Sequence, residues 1–497
     1  MTILTLENGA TLDCETLVRF VEGRRAVYKA ALSNEALSNH TKLNQPKHTV
    51  FAKVFSGKNF ERYANRDKAG YTQLSVANIL TPKLVLDTYL ADHSARVLCY
   101  QAIDITGSAE DHYYSLCDGK DYAANYHARL ALMKLVTSAV AEHHNSNLVQ
   151  TDLYLKNFLV KDNDVYTIDG DGIRRLFHNL LPWTRRRKKM RNLATLFSKM
   201  DVLDDGWIAD LYEDYCKKTG ITYSSFDYVE VYLLTQKIRH RVASGYANKK
   251  VFRSCTDVKA VQSFACYTAL ANGFNSEPNW GLVKPRVLDS LLLRPEQRMK
   301  TGNTCTVGLA DIGSMQVVIK RYNIKNSLHA LSRAFRPSRA AKSWANAHRL
   351  IISNIATPKP LALVEERYGW LRRRAYFLAE YLNAPDIAQF STQATLEHKK
   401  IVAHEVALLF YKLYLLKFSH GDCKATNIKI VNLKPVLIDL DSMVAHTSAW
   451  QFKRKHVRDL KRLMRNWEFT SEAAVLLKQA FVLQYNEEYI LALAGIV

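Results

Sequence analysis

His420-Gly421-Asp422-Cys423-Lys424-Ala425-Thr426-Asn427, followed by the apolar run Val436-Leu437-Ile438 and then Asp439-Leu440-Asp441, decides how this chain is read. An Asp and an Asn five positions apart in a short loop, then an acid twelve positions on after a β-like run, form the residue set that phosphoryl transfer needs. One carboxylate orients the attacking hydroxyl and accepts its proton, while the amide and the second carboxylate hold the Mg²⁺ that neutralises the phosphates. The same figure occurs earlier. Gln150-Thr151-Asp152-Leu153-Tyr154-Leu155-Lys156-Asn157, then Val165-Tyr166-Thr167-Ile168-Asp169-Gly170-Asp171, repeats both spacings.

Further landmarks keep the same order. Lys53 and Lys320, each inside an apolar strand-like run, are 267 positions apart (320 − 53). The Asp152/Asp422, Asn157/Asn427 and Asp169/Asp439 pairs are each 270 apart (422 − 152), and Arg191 and Arg458, which end two basic clusters, are again 267 apart (458 − 191). Ordered repetition at a nearly constant offset outweighs any single motif. It makes the chain two kinase-type units in one polypeptide.

In the first unit, Arg25-Ala30 and Thr49-Phe55 alternate like half-buried strands, and Lys53 lies in the second, where a nucleotide-contacting lysine belongs. A helix over about 60–77 offers Asp67 as the ion-pair partner of Lys53, with Glu61 as the competing choice. Arg96–Ile103 is the strand leading to a hinge, and a helix over 126–144 leads to the Asp152 loop. His143 and His144 at its end are expected to be solvated cap residues rather than metal ligands. The cluster from Trp183 to Arg191 is expected to be a solvated helical face, or a phosphate-binding patch beside the site. Polar breaks at 244–250 and 271–279 bracket the border between units, with 251–270 a strand pair belonging to either.

The second unit repeats this plan. Gly302 sits in a turn before a strand, Gln316–Tyr322 carries Lys320, and a strongly basic insertion spans Lys325 to Lys342. A helix over 343–350 follows, with no acid on the face that should meet Lys320. Tyr376–Leu382 is the hinge strand, and an amphipathic helix over 396–418 leads to His420. The tail from Trp450 to Leu460 echoes the first basic cluster. The first unit has Gln150 in place of the loop histidine, so the second is expected to be the catalytic one, with the first expected to bind nucleotide and to be active too.

Composition sets the bounds. The 497 residues suffice for two or three domains with cores of their own, and the formal charge of +22 favours an anionic partner. Eight scattered cysteines without paired spacing read as reduced thiols in a cytosolic protein. The first residues lack the pattern of a signal peptide, and no apolar run reaches the roughly 20 residues of a spanning helix. No nucleic-acid module is recognisable.

With these residues in view, the chain resembles the Kdo/WaaP-type lipopolysaccharide kinases, within the protein-kinase-like superfamily. The carriers are His420 through Asn427 with Leu437 through Asp441, Thr151 through Val160 with Ile168 through Gly172, and the flanking phrases ending Arg191-Asn192-Leu193 and running from Arg336 to Leu350. The resemblance implies an α+β chain of two tandem protein-kinase-like folds, each with a small β-rich lobe followed by a larger helical lobe. The expected domains are 1–265, the more degenerate, and 266–497. It implies ATP-dependent phosphorylation of a sugar, heptose or Kdo, in the inner core of lipopolysaccharide, with ATP and Mg²⁺ as cofactors. Asp422 and Asp152 would be catalytic bases, Asn427, Asp439, Asn157 and Asp169 magnesium ligands, and Lys320 and Lys53, the latter supported by Asp67, phosphate contacts. The acceptor would be the lipopolysaccharide core or lipid A-core, met by a cytoplasmic protein peripheral to the anionic cytoplasmic face of the inner membrane. A protein or small-molecule acceptor is one alternative. A partly inactive scaffold binding ATP and an anionic glycolipid is the other.

Overall fold

The computed structural model describes residues 2–33, 48–105, 107–118, 125–177, 181–294, 298–302, 304–323 and 334–497. Two compact units divide the chain. The first comprises residues 1–200 and 204–239, and the second comprises 201–203 and 240–497. The expected border after residue 265 therefore moves upstream, for a physical reason. Strand Val258–Gln262 is paired residue by residue with Cys266–Ala271, which in turn pairs with Pro360–Tyr368, so a cut at 265 would split a hairpin of the second unit's sheet.

The first unit begins with a six-stranded antiparallel sheet in the order Thr2–Thr5, Thr11–Val21, Arg25–Leu32, His48–Ser56, Ala95–Gln101, Leu84–Tyr89. The alternation read in 49–55 places Val50, Ala52 and Val54 in the core with Leu12, Ala30 and Val97. Lys53 projects from the other face, opposite Val27 on one side and Leu98 on the other. Helix Phe60–Val76 follows and ends ahead of Pro82, as expected. A helical part comes next. Helices Tyr126–Asn145, Pro182–Phe197 and Ile208–Thr219 bury Val136, Val140, Leu193, Phe197 and Leu211 in one core. Between the first two of these helices lie the Asp152 loop and the small hairpin Phe158–Lys161/Asp164–Thr167.

The second unit repeats the order. Its sheet has seven strands, with Met315–Tyr322 between Cys305–Ile312 and Leu371–Glu380, and Lys320 lies opposite Val307 and Phe377. Helix Arg339–Ile352 packs on this sheet. Ser338 caps it by accepting the Ala341 amide and also donates to Glu365 at 2.6 Å. Helices Leu396–Leu416, Ala449–Met464 and Glu472–Gln484 then enclose Val406, Phe410, Leu460, Leu463 and Phe481. Half of the basic insertion, residues 325–333, lies outside the described residues, as does Asn303 beside Gly302.

Candidate active sites

In the first unit Lys53 and Asp67 meet as an ion pair of 2.6 Å, with the carboxylate fully buried. The competing acid, Glu61, instead binds Arg96 at 2.9 Å. Tyr100 donates its hydroxyl to the other oxygen of Asp67 at 2.6 Å, fixing the carboxylate from behind. Lys53 also reaches Asp169 at 3.5 Å. Asp169 adopts a left-handed backbone with φ of 67°, strain of about 1–3 kcal/mol that the surroundings must sustain. They do so through the next residue. A Cβ on Gly170 would lie 2.3 Å from the Asp67 carbonyl oxygen, so helix and turn touch backbone to backbone where only glycine fits.

Asn157 donates its amide to the Asp152 main-chain carbonyl at 2.7 Å, which leaves its own side-chain oxygen available as a ligand. Gln150, the apparent departure from the pattern, donates to the Ile168 carbonyl at 3.3 Å. A cleft of about 650 Å³ opens over these groups, lined by Val27, Phe51, Lys53, Tyr100, Asn157 and Asp169 among others. Its apolar walls above a cationic floor are the surroundings that a nucleotide base and its phosphates require.

His143 and His144 are buried, contrary to the expectation of solvated caps. His143 bonds the Thr167 hydroxyl at 2.9 Å, and His144 bridges the Tyr215 hydroxyl and the Asn192 amide oxygen at 2.9 and 3.1 Å. Burial pushes their pKa values down to about 4 and about 3.

Four arginines in the first site were not singled out in the sequence. Arg25 lies 3.2 Å from Asp169 and 3.7 Å from Asp67, and Arg19 lies 3.9 Å from Asp169. Arg24 and Arg66 hold Asp171 at 2.9 and 2.7 Å. Burial opposes the Asp169 charge, but Lys53 and Arg25 outweigh it and hold the carboxyl below its ordinary range. The available signal was the strand pairing. Arg25 precedes Val27 by two and so shares its face with the residue opposite Lys53.

The second site answers what stands in for the missing helix acid. Lys320 donates directly to Asp439 and reaches Asp441 at 3.5 Å. Arg339, in the first turn of its helix, also binds Asp441 at 2.7 Å. Asn346 clamps the 440–442 turn by donating to the Leu440 and Met443 carbonyls, as Gly70 meets Gly170 in the first unit. Three residues before Gly70 is Asp67, and three before Asn346 is Ser343, which bonds the Tyr322 hydroxyl at 2.9 Å. Burial works against the Lys320 ammonium, yet Tyr322, Asp439 and Asp441 outweigh it and its pKa goes up.

Around the second loop, Asn427 donates to the Asp422 carbonyl at 2.8 Å, and Asp439 has φ of 61°, both as in the first unit. His420 donates Nε2–H to the Ile438 carbonyl at 3.0 Å, the counterpart of the Gln150 bond. Asp459 accepts the backbone amides of His420 and Gly421 at 2.7 and 3.1 Å. Asp422 itself lies 2.6 Å from Arg462 and 3.5 Å from Lys424.

The two donor sets differ toward Mg²⁺, a hard cation that takes oxygen ligands. In the second unit the Asn427 amide oxygen and the Asp439 carboxylate fit it, because Lys320 is the one described cation paired with Asp439. In the first unit both oxygens of Asp169 already face guanidinium groups that cannot lose their charge, and the fit is poor.

The model of the lipopolysaccharide kinase (Kdo/WaaP) family matches residues 297–483, all within the second unit. Among solved structures the chain is similar to one titled "WaaP in complex with acyl carrier protein", at 15% identity over 46% of this chain and 96% of that one, with a TM-score of 0.35. No curated protein matches the chain.

Proposed function

We propose that the chain is an ATP-dependent kinase for a sugar, heptose or Kdo, in the lipopolysaccharide inner core. Each unit is read as a protein-kinase-like fold, and the second performs transfer. The observation that carries this reading is the convergence of Asp422, Asn427, Asp439 and Lys320 inside the segment matched to the lipopolysaccharide kinase family. In this reading Lys320 contacts the nucleotide phosphates and moves off Asp439 when they arrive. Asp422 accepts the proton of the attacking sugar hydroxyl, and Asn427 with Asp439 holds Mg²⁺, which when bound neutralises charge on the phosphates. No described helix is long and apolar enough to cross a membrane. A glycolipid acceptor would then be met from the cytoplasmic face of the inner membrane, where the +22 charge favours an anionic surface.

The first unit favours a second role. Its cleft and Lys53–Asp67 pair suit a nucleotide, while Arg19 and Arg25 crowd the carboxylate that would hold metal. We assign it nucleotide binding with weak or no transfer. The test is phosphorylation of deacylated core oligosaccharide by Asp422→Ala and Asp152→Ala separately. Losing a catalytic base costs on the order of 10²–10⁴ in rate. That loss is expected for Asp422→Ala, and full activity there would overturn the assignment.

A further inference from the structure

Helix Ala449–Met464 carries a stripe that the transfer chemistry does not use. Trp450, Arg454, Arg458 and Arg462 recur every fourth residue and so follow one side of the helix. The stripe ends on the site, where Arg462 lies 2.6 Å from the Asp422 carboxylate. It begins in solvent, where Trp450 is 66% exposed with the Arg454 guanidinium 4.8 Å over its ring. Arg454 and Arg458 are exposed and form no ion pair with a carboxylate among the described residues, although the Arg458 charge is felt by Asp459. At 1.5 Å rise per residue the four positions span about 18 Å.

A charged helix face is ordinarily there for solubility. An exposed indole is not, and this one is duplicated. In the first unit Trp183, 62% exposed, begins the same stripe, and Arg187 and Arg191 continue it, both exposed. The two tryptophans are 267 positions apart (450 − 183), the offset of Lys53/Lys320 and of Arg191/Arg458. Only the last position differs. Thr195 stands where the second unit has Arg462, and its hydroxyl turns back to the Arg191 carbonyl at 2.8 Å. The stripe connects to the loop aspartate by a cation only in the unit assigned to transfer.

We propose that Trp450, Arg454 and Arg458 form the acceptor track of the second unit, binding a phosphate-bearing carbohydrate chain so that one of its hydroxyls reaches Asp422. This rests on the phosphotransferase reading above. The indole offers a flat apolar surface to a sugar ring, and each guanidinium offers a planar fork that matches phosphate oxygens two at a time. Arg462 is the positioning residue that holds the Asp422 carboxylate at the end of the track.

The test uses the full chain and three variants, Trp450→Ala, the double Arg454→Ala/Arg458→Ala, and Arg458→Lys. All three positions are exposed, so the melting curves should overlay that of the wild type. Calorimetric titration measures binding of deacylated core oligosaccharide with and without its phosphates, of inorganic phosphate, and of vesicles containing phosphatidylglycerol. The track predicts that removing phosphates, or both arginines, weakens oligosaccharide binding about tenfold or more, with a larger effect on KM for acceptor than on kcat. Arg458→Lys should recover part of the loss, and inorganic phosphate should compete only weakly. Equal binding of the two oligosaccharides, or variants that bind like the wild type, would overturn the proposal. So would loss of vesicle binding with oligosaccharide binding intact, which would make the stripe a membrane contact. If the wild type binds through the stripe but transfers no phosphate, the kinase reading falls and the track stands.

Discussion

Gln150 donates its side-chain amide to the carbonyl of Ile168, and His420 donates an imidazole N–H to the carbonyl of Ile438, the position 270 residues later (438 − 168). Two different side chains thus fasten the start of the Asp152 loop and of the Asp422 loop to the residue just before Asp169 and Asp439. Gln150 therefore does not mark the first unit as broken.

The equivalence makes a direct prediction. His420→Gln should keep the bond to Ile438 and retain stability and turnover to within a few fold. His420→Ala removes that part-buried hydrogen bond and should lower stability by about 0.5–1.5 kcal/mol. Denaturant unfolding and initial rates on the same samples separate the two. A His420→Gln variant as damaged as His420→Ala would mean that the ring itself is needed.

Arg25 supports a second prediction. It sits beside both Asp169 and Asp67, and the strand register puts Cys305 at the corresponding place in the second unit, two residues before the partner of Lys320. Nucleotide binding at the first unit should therefore persist when divalent cations are chelated. In a Lys320→Ala background that weakens the second site, Arg25→Gln should make the remaining binding depend on Mg²⁺. Titration of a fluorescent ATP analogue with and without EDTA reads this out.

The repeat was legible because the same residue types recur at the same spacings in one order, and the strand positions of Lys53 and Lys320 followed from alternation. Asp67 was legible as a partner because helical periodicity put it on the inward face. Other features were hidden for physical reasons. Pairing of Lys320 with Asp439 and Asp441 joins residues over a hundred positions apart, and no local pattern reports such contacts. Arg25 reads as an ordinary strand residue until the register is known. The burial of His143 and His144 depends on Thr167, Tyr215 and Asn192 arriving from three other elements, where sequence alone offers a polar pair at a helix end.

The contact between the Phe60–Val76 helix and the 170–172 turn gives a third prediction. A methyl group on Gly170 would meet the Asp67 carbonyl at 2.3 Å and the Tyr71 amide nitrogen at 2.8 Å, and neither backbone atom can swing away. Gly170→Ala should push the turn off the helix, lower stability by about 1–3 kcal/mol or more, and weaken nucleotide binding at the first unit by displacing Asp169. Gly206→Ala, where the added group meets nothing within 4 Å, is the control and should melt like the wild type.

Acid sensitivity follows from four buried histidines. Burial lowers His143 and His348 to about 4, and His144 and His456 to about 3, from an ordinary value of 6.5. The sign is fixed by proton counting. Between pH 6.5 and about 4 the unfolded chain binds protons at these positions that the folded chain does not, so stability falls as pH falls through that window. Each histidine contributes at most about 1.4 kcal/mol per pH unit. The loss begins below pH 6.5, is complete once the folded-state values are passed, and is absent above neutrality. His456 bonds the Tyr485 hydroxyl at 2.9 Å inside the second unit, so His456→Gln, which retains a hydrogen-bonding group but cannot titrate, should flatten the slope of melting temperature against pH. An unchanged slope would show that His456 does not contribute to the acid transition.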